Sequence, residues 1–155
     1  MLSTRPMTHQ DVPACAAILN ATIKRGGTTA HTDPFSEAEF SAEYFEEPST
    51  AQVVEHLGRV VGFQCAFDKG DGVLSVGSFT DQETPVKGAG RALFPATCAE
   101  ARAKGFTRII AKITADNAPG LAYYAAMGLH DIDVIPNDIL RNGRPVDRVV
   151  KALDL

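Results

Sequence analysis

No two cysteines in this chain stand close enough for a Cys-x-x-Cys motif. Cys15, Cys65 and Cys98 are widely spaced, which argues against a thiolate-ligated metal or a dithiol redox pair. Their odd number argues against a disulfide-stapled secreted scaffold, so buried thiols in a reducing cytoplasm are expected. Long apolar runs are missing too: nowhere do eighteen apolar residues follow one another, and Met1-Leu2-Ser3-Thr4-Arg5-Pro6 contains no apolar leader core. Neither export nor membrane insertion is expected. Positive charge is not in excess either. With a net charge of −4 and a pI of about 5.5 the chain has no general basic surface to hold nucleic acid or an anionic membrane by counterion release. A small cationic amine would not be repelled. Repeats and low-complexity tracts are absent.

What is present suits one globular domain over residues 1–155, with 45% hydrophobic and 22% charged residues. Leu2 to Pro6 reads as a strand, and Thr8 with Asp11 as an acidic capping box. Val12, Cys15, Ala16, Ile18, Leu19 and Ile23 recur at helical spacing, giving a first helix from Asp11 to about Thr22 that ends near Gly26-Gly27. Ser36 caps a second helix, Glu37 to about Phe45, with five glutamates on a solvated face. Ala51–Leu57 and Arg59–Phe67 form a valine-rich hairpin, and Val73–Thr80 a further strand. The helix Gly88 to Lys104 contains Pro95, which predicts a kink or a shortened first segment. Thr107–Thr114 is nearly all apolar, as in a strand buried on both faces, and the crossover helix makes it parallel to Val73–Thr80. The helix Pro119 to Met127 and the strands His130–Ile135 and Val146–Leu153 complete the chain. Asn142-Gly143 favours a hairpin turn between the last two.

The stretch Asp81-Gln82-Glu83-Thr84-Pro85-Val86-Lys87-Gly88-Ala89-Gly90-Arg91 carries the strongest chemical signal. A glycine-rich turn running into a helix presents N–H groups without intrahelical partners, at the positive end of the helix dipole, where a phosphate is held. Gly88 and Gly90 allow close approach of an anion to the backbone, and Lys87 and Arg91 add charge. A Walker loop is excluded because Lys87 precedes Gly88. A dinucleotide fingerprint is excluded because Leu93 stands where its third glycine belongs. Read alone, the turn is equally compatible with an ordinary tight turn before a helix.

Pro85-x-x-Gly88-x-Gly90 resembles the Arg/Gln-x-x-Gly-x-Gly/Ala pyrophosphate loop of the GNAT N-acetyltransferases. Asn117-x6-Tyr124-x3-Gly128-Leu129 resembles the helix that follows the fifth strand in that superfamily. The likeness is close from Val73 to Leu129. It implies a mixed α/β fold of order β-α-α-β-β-β-α-β-α-β-β, where periodicity alone gives only "mixed α/β". It further implies acetyl-CoA as co-substrate, no metal, and dimerisation through the last strands. Cofactor contacts implied by resemblance are the backbone of Ser78, Phe79 and Thr80 along the pantetheine arm, Val86, Lys87, Gly88, Ala89, Gly90 and Arg91 on the pyrophosphate, and Asn117 and Tyr124 from the later helix. Asn20, Thr22, Thr28, Thr29 and His31 are the implied acceptor-side residues, a solvated loop with a capping threonine being the alternative for each. Pro85 and Val86 depart from the usual loop and would weaken cofactor binding. Ile18 to Ile23 followed by Thr28-Thr29-Ala30 is similar to the phosphinothricin and amino-acid acetyltransferases, which implies a small, amino-acid-like acceptor amine.

Direct attack of an amine on a thioester needs two proton transfers, since an alkyl amine of pKa about 10.4 must lose a proton and the thiolate of a thiol near 8.5 gains one. Tyr124 matches the family's proton donor to sulfur, and Tyr123, turned 100° around the helix, reads as core. The base is open. The strand Val73–Thr80 holds no acid, which leaves Asp81 as the nearest, with Glu83, His31, His130 or a water chain as alternatives. A non-catalytic acetyl-CoA sensor and a protein-acetylating enzyme are the competing readings.

Overall fold

A computed structural model describes residues 1–155, and its elements follow in the expected order: β1 (Leu2–Pro6), α1 (Val12–Arg25), α2 (Glu37–Phe40), β2 (Thr50–His56), β3 (Arg59–Asp68), β4 (Val73–Thr80), α3 (Ala89–Ala103), β5 (Arg108–Thr114), α4 (Ala118–Ala126), β6 (His130–Arg141) and β7 (Arg144–Asp154). The strands form one seven-stranded sheet, ordered β1-β2-β3-β4-β5-β7-β6. Only β4 and β5 are parallel, as their crossover helix requires.

Alternation along β3 divides the core. Phe63 and Cys65 face α1 and α2 together with Leu19, Phe40 and Tyr44. Ala66 faces the other way, with Leu74 and Val76 of β4 and Phe94, Cys98 and Ala101 of α3. Cys15, Cys65 and Cys98 are all buried free thiols. Burial pushes the Cys15 thiol up to about 12, and raises Cys65 and Cys98 as well. No helix is long and apolar enough to cross a membrane.

Several boundaries differ from expectation for identifiable reasons. The second helix begins with the expected box, Glu39 N–H donating to Ser36 Oγ at 3.1 Å and Ser36 N–H to Glu39 Oε1 at 2.9 Å, but Ser41–Glu46 widen into a π-helical turn. The helix α3 continues across Pro95 without a break. The strand β6 does not stop at Ile135. It is the outer strand of the sheet, so Pro136 removes no ladder bond that a neighbour needs, and an irregularity between Ile135 and Ile139 absorbs it. There Asn137 takes a φ of 52° and its N–H donates to Asp147 Oδ1 at 2.9 Å.

Asp11 closes the turn before α1. Its Oδ2 accepts from Thr8 N–H and from Arg5 Nη1, both at 2.7 Å, and its side chain is only 7% exposed. The Arg5 guanidinium, helped by Thr8 and opposed by burial, holds the carboxyl below its usual range. A depressed folded pKa contributes stability that is complete above the unfolded value of about 3.9 and is lost as the pH falls through the folded one. Asp11→Asn is therefore expected to destabilise the protein by about 1–2 kcal/mol at neutral pH, with half-exposed Arg5 screening part of the effect. Urea unfolding at pH 7 and about pH 3 checks this, because the gap between variant and wild type should shrink in acid.

Candidate active site

The parallel pair is short. The strands β4 and β5 are in register only at Val73–Arg108, Leu74–Ile109 and Ser75–Ile110, after which β5 stays with β7 and β4 stays with β3. From Val76 onward the β5-facing edge of β4 has no strand against it. Which residues own that edge follows from alternation. Asp81 N–H donates to Val61 O at 2.9 Å, so the backbone groups of Phe79 and Gly77, two and four residues back, also turn toward β3. Those of Val76, Ser78 and Thr80 face the gap. Ser78 thus has its main-chain groups free for an added strand, and Thr80 its N–H, the Thr80 carbonyl accepting from Gln82 Nε2 at 3.2 Å. Phe79 has none free. Its backbone pairs with Phe63, and its ring stacks on the Phe63 ring with centroids 5.2 Å apart.

The strand β4 leads directly into the glycine loop, which two side chains shape. Asp81 Oδ1 accepts the N–H groups of Glu83 (3.0 Å) and Thr84 (3.1 Å), folding the loop back on itself, while Oδ2 accepts from Arg59 Nη1 at 2.6 Å. Burial pushes this carboxyl upward, but the Thr84 N–H, Arg59 and the Glu83 N–H outweigh it and leave it below its usual range. Asp81, the expected nearest base, is therefore a loop-shaping group with both oxygens in use. His130 is exposed at the start of β6, two strands from the gap. Glu83 points from the exposed part of the loop.

At the start of α3 the backbone provides what an anion needs. The N–H groups of Val86, Lys87, Gly88, Gly90 and Arg91 have no partner within the protein, while that of Ala89 is turned inward to Val86 O at 3.2 Å. Lys87 and Arg91 are exposed beside them. Gly88 has a φ of +88°, a conformation that side-chain-bearing residues avoid. Gly90 is a glycine for a different reason from the one its spacing suggests. A Cβ there would point at the Tyr123 ring, 3.1 Å from Cε1, and not outward at a ligand. Tyr123, expected as plain core, packs its ring at that spot and donates its hydroxyl to Gly90 O at 2.6 Å.

The fourth helix supplies the remaining parts. Asn117 caps it, accepting from Gly120 N–H at 3.0 Å, and its Nδ2 reaches Thr28 O at 3.2 Å. Tyr124 is buried at 7% exposure, with its hydroxyl 2.7 Å from Ser78 Oγ. Burial holds the phenol well above its usual pKa, so it keeps its proton. Gln64, which the sequence reading did not single out, donates from Nε2 to both Ser78 Oγ (2.7 Å) and Tyr123 Oη (3.0 Å). Only its polar character inside the apolar strand Val60–Phe67 marked it.

The acceptor-side residues lie on α1 (Asn20, Thr22) and on the loop that follows it (Thr28, Thr29, His31), and most are tied to neighbouring groups. Asn20 is bonded twice to the Phe35 backbone, at 2.8 Å each way. Thr29 Oγ1 accepts from His31 N–H at 3.2 Å, and Thr28 and Thr29 offer their carbonyls to Asn117 and Arg141. Thr22 is buried on α1 with its hydroxyl on Ile18 O. His31 Nε2 lies 2.5 Å from Tyr44 Oη, and burial lowers its pKa against the opposing pull of Glu43. Beside it a cavity is lined by His31, Asp33, Phe35, Glu39 and Glu43, among others. Arg141, from the far end of β6, closes this side by bonding Asp116 (2.7 Å), Thr114 Oγ1 (3.1 Å) and Thr29 O (3.3 Å). No group of three or more His, Cys, Asp or Glu side chains is gathered as a metal would require.

Known structures share this architecture. An N-acetyltransferase from Staphylococcus aureus Mu50 superposes with a TM-score of 0.87 at 21% identity, over 99% of this chain and 98% of that one. A phosphinothricin acetyltransferase from Sinorhizobium meliloti, solved with AcCoA, gives 0.85 at 22%, over 99% and 88%. A ribosomal-protein-alanine N-acetyltransferase from Brucella melitensis gives 0.84 at 21%, over 99% of both chains. At such identities the likeness is one of fold, and these named acceptors differ widely. No curated protein matches the sequence. The Acetyltransferase (GNAT) family profile, however, matches residues 19–129. With most of its length inside that match, the chain belongs to the GNAT acetyltransferase family, whose members use acetyl-CoA as co-substrate.

Proposed function

We propose that this enzyme moves the acetyl group of acetyl-CoA to the primary amine of a small cationic molecule by direct attack, with Tyr124 serving the departing sulfur. One observation supports it above the others: the unpaired β4 edge at Ser78 and Thr80 runs straight into the unspent N–H groups of Val86 to Arg91, with the Tyr124 hydroxyl beside Ser78. Backbone groups of Ser78 and the Thr80 N–H would hold the pantetheine arm, and the N–H groups of Val86, Lys87, Gly88, Gly90 and Arg91 the pyrophosphate. Each hydrogen bond to a charged oxygen contributes about 1.5–3 kcal/mol, so Pro85 does not prevent binding. When bound, acetyl-CoA supplies the activated acyl group. Because Asp81 is committed to Arg59 and its own loop, the acceptor amine enters as the free base, its proton lost to solvent.

The cavity beside His31 carries three carboxylates, Asp33, Glu39 and Glu43, and no lysine or arginine. That lining favours a cationic molecule and offers no permanent cation to a substrate carboxylate, which weighs against an amino-acid-like acceptor. Exposed Ile132, Val134 and Leu140 on the outer strand β6 support a homodimer, and three free thiols support a cytoplasmic location. A non-catalytic acetyl-CoA sensor is the second reading, favoured by the commitment of Asp81.

Thiol release from acetyl-CoA, followed with 1,4-diaminobutane and with glycine and glutamate as acceptors, tests the proposal. Faster release with the diamine is expected. Preference for the amino acids would overturn the cationic acceptor, and bound acetyl-CoA with no release from any amine would favour the sensor.

A further inference from the structure

Beneath the open edge of β4, one amide joins the first turn of α3 to Tyr124. Gln64 is fully buried in β3, and its Nε2 bonds both Ser78 Oγ and Tyr123 Oη. The directions of three of the four bonds in this group follow from the number of protons available. Tyr123 has one hydroxyl proton, and the Gly90 carbonyl, which can only accept, takes it. Toward Gln64, then, Tyr123 Oη must act as acceptor, which requires the amide to present Nε2 and not Oε1. The second Nε2 proton goes to Ser78 Oγ. Ser78 accepts there and has one proton of its own, and Tyr124 Oη lies 2.7 Å from its Oγ, a pair in which either hydroxyl can donate. With Ser78 as the donor in that pair, the Tyr124 proton is left unspent within the protein.

We infer that Gln64 is a positioning residue for acetyl transfer: it orients the Ser78 hydroxyl toward Tyr124, so that the Tyr124 proton is directed at the coenzyme sulfur. This rests on the reading of Tyr124 as the group that serves the sulfur. The second consequence of the same geometry is a stronger donor at Tyr124, since a Ser78 O–H pointed at its oxygen polarises the phenol that bonds the sulfur. A buried atom argues for the role independently. Gln64 Oε1 has no hydrogen-bond partner, a burial cost that an apolar side chain of similar volume would avoid. What the glutamine adds over such a side chain is its two donors, and both are used on hydroxyls of the site.

The product complex offers a test that needs no acceptor amine. A Tyr124 proton aimed at sulfur stabilises the thiolate of bound CoA, so CoA should gain affinity over desulfo-CoA as the pH crosses the alkyl thiol value of about 8.5. Calorimetric titration of both ligands at about pH 6.5 and about pH 9.5 should show that preference growing about tenfold or more in the wild type, as a hydrogen bond to a charged sulfur warrants. Tyr124→Phe should abolish the growth. Gln64→Met should reduce it to about twofold or less, with desulfo-CoA affinity held within about threefold, and the double variant should lose no more than Tyr124→Phe alone. Should Gln64→Met fail to give a cooperative unfolding transition, Ser78→Ala breaks the same relay at a half-buried position. Full wild-type growth in Gln64→Met, or in Ser78→Ala, overturns the role of Gln64 while leaving that of Tyr124 intact. No growth in the wild type overturns the reading of Tyr124 itself, and the inference with it.

Discussion

Tyr124→Phe should lower kcat by about 10²-fold or more while leaving acetyl-CoA affinity within about threefold, the pattern of a group that acts in the transition state and not in binding. The change removes one oxygen and keeps the ring that packs with Phe94, Cys98 and Leu129, so the core is retained. The lost atom is the one 2.7 Å from Ser78 Oγ. Burial raises the phenol, which makes it a reluctant acid, and its effect is best described as a hydrogen bond to developing negative sulfur in a site shielded from water. The sign of the pH dependence follows. The group works protonated, and its raised pKa keeps it protonated beyond the usual tyrosine value of about 10, so the wild-type rate should show no alkaline decline from this residue below that pH. Initial rates and calorimetric affinities measured together check the claim, and a kcat within threefold of wild type would rule it out.

Gly90→Glu is expected to weaken acetyl-CoA binding by about 100-fold or more. At about 5 Å and an effective dielectric near 20, a new carboxylate opposes a phosphate charge by about 3 kcal/mol. A Cβ at this position also meets Tyr123 Cε1 at 3.1 Å and strains the bond from Tyr123 to the Gly90 carbonyl. Gly90→Ala isolates the second effect and should cost only about three- to tenfold. The helix itself tolerates the acid, because a negative side chain in the first turn complements the dipole by about 0.3–1 kcal/mol. Loss of binding with a preserved unfolding transition is the expected result, and equal losses for Ala and Glu would show that charge plays no part.

Local elements could be read before the structure was seen because their causes are local. Ser36 and Glu39 cap a helix three residues apart, Leu57-Gly58 and Asn142-Gly143 turn hairpins with positive φ, and the glycine turn after Thr80 exposes its N–H groups. Functional pairings across the sheet were not legible, since nothing near Gln64 in the chain shows that it meets Tyr123, or near Arg141 that it meets Thr29. Phe79 illustrates the boundary between the two. Its strand and its period of two could be read, but which parity faces the gap depends on one long-range bond, Asp81 N–H to Val61 O. Gly90 was recognised as a required glycine, and only the position of the Tyr123 ring explains the requirement. Asp81 was legible as a carboxylate near the cleft and not as the partner of Arg59, which lies on another strand.

The burial of Cys15, Cys65 and Cys98 has a practical and a physiological side. Disulfide exchange needs an accessible thiolate, and all three sulfurs are shielded and held in the thiol form. An enzyme that liberates a thiol at every turnover is thereby protected from forming mixed disulfides with its own product when that product becomes oxidised. The same shielding means that an aromatic disulfide reagent added during catalysis will count released CoA and leave the folded protein unmodified.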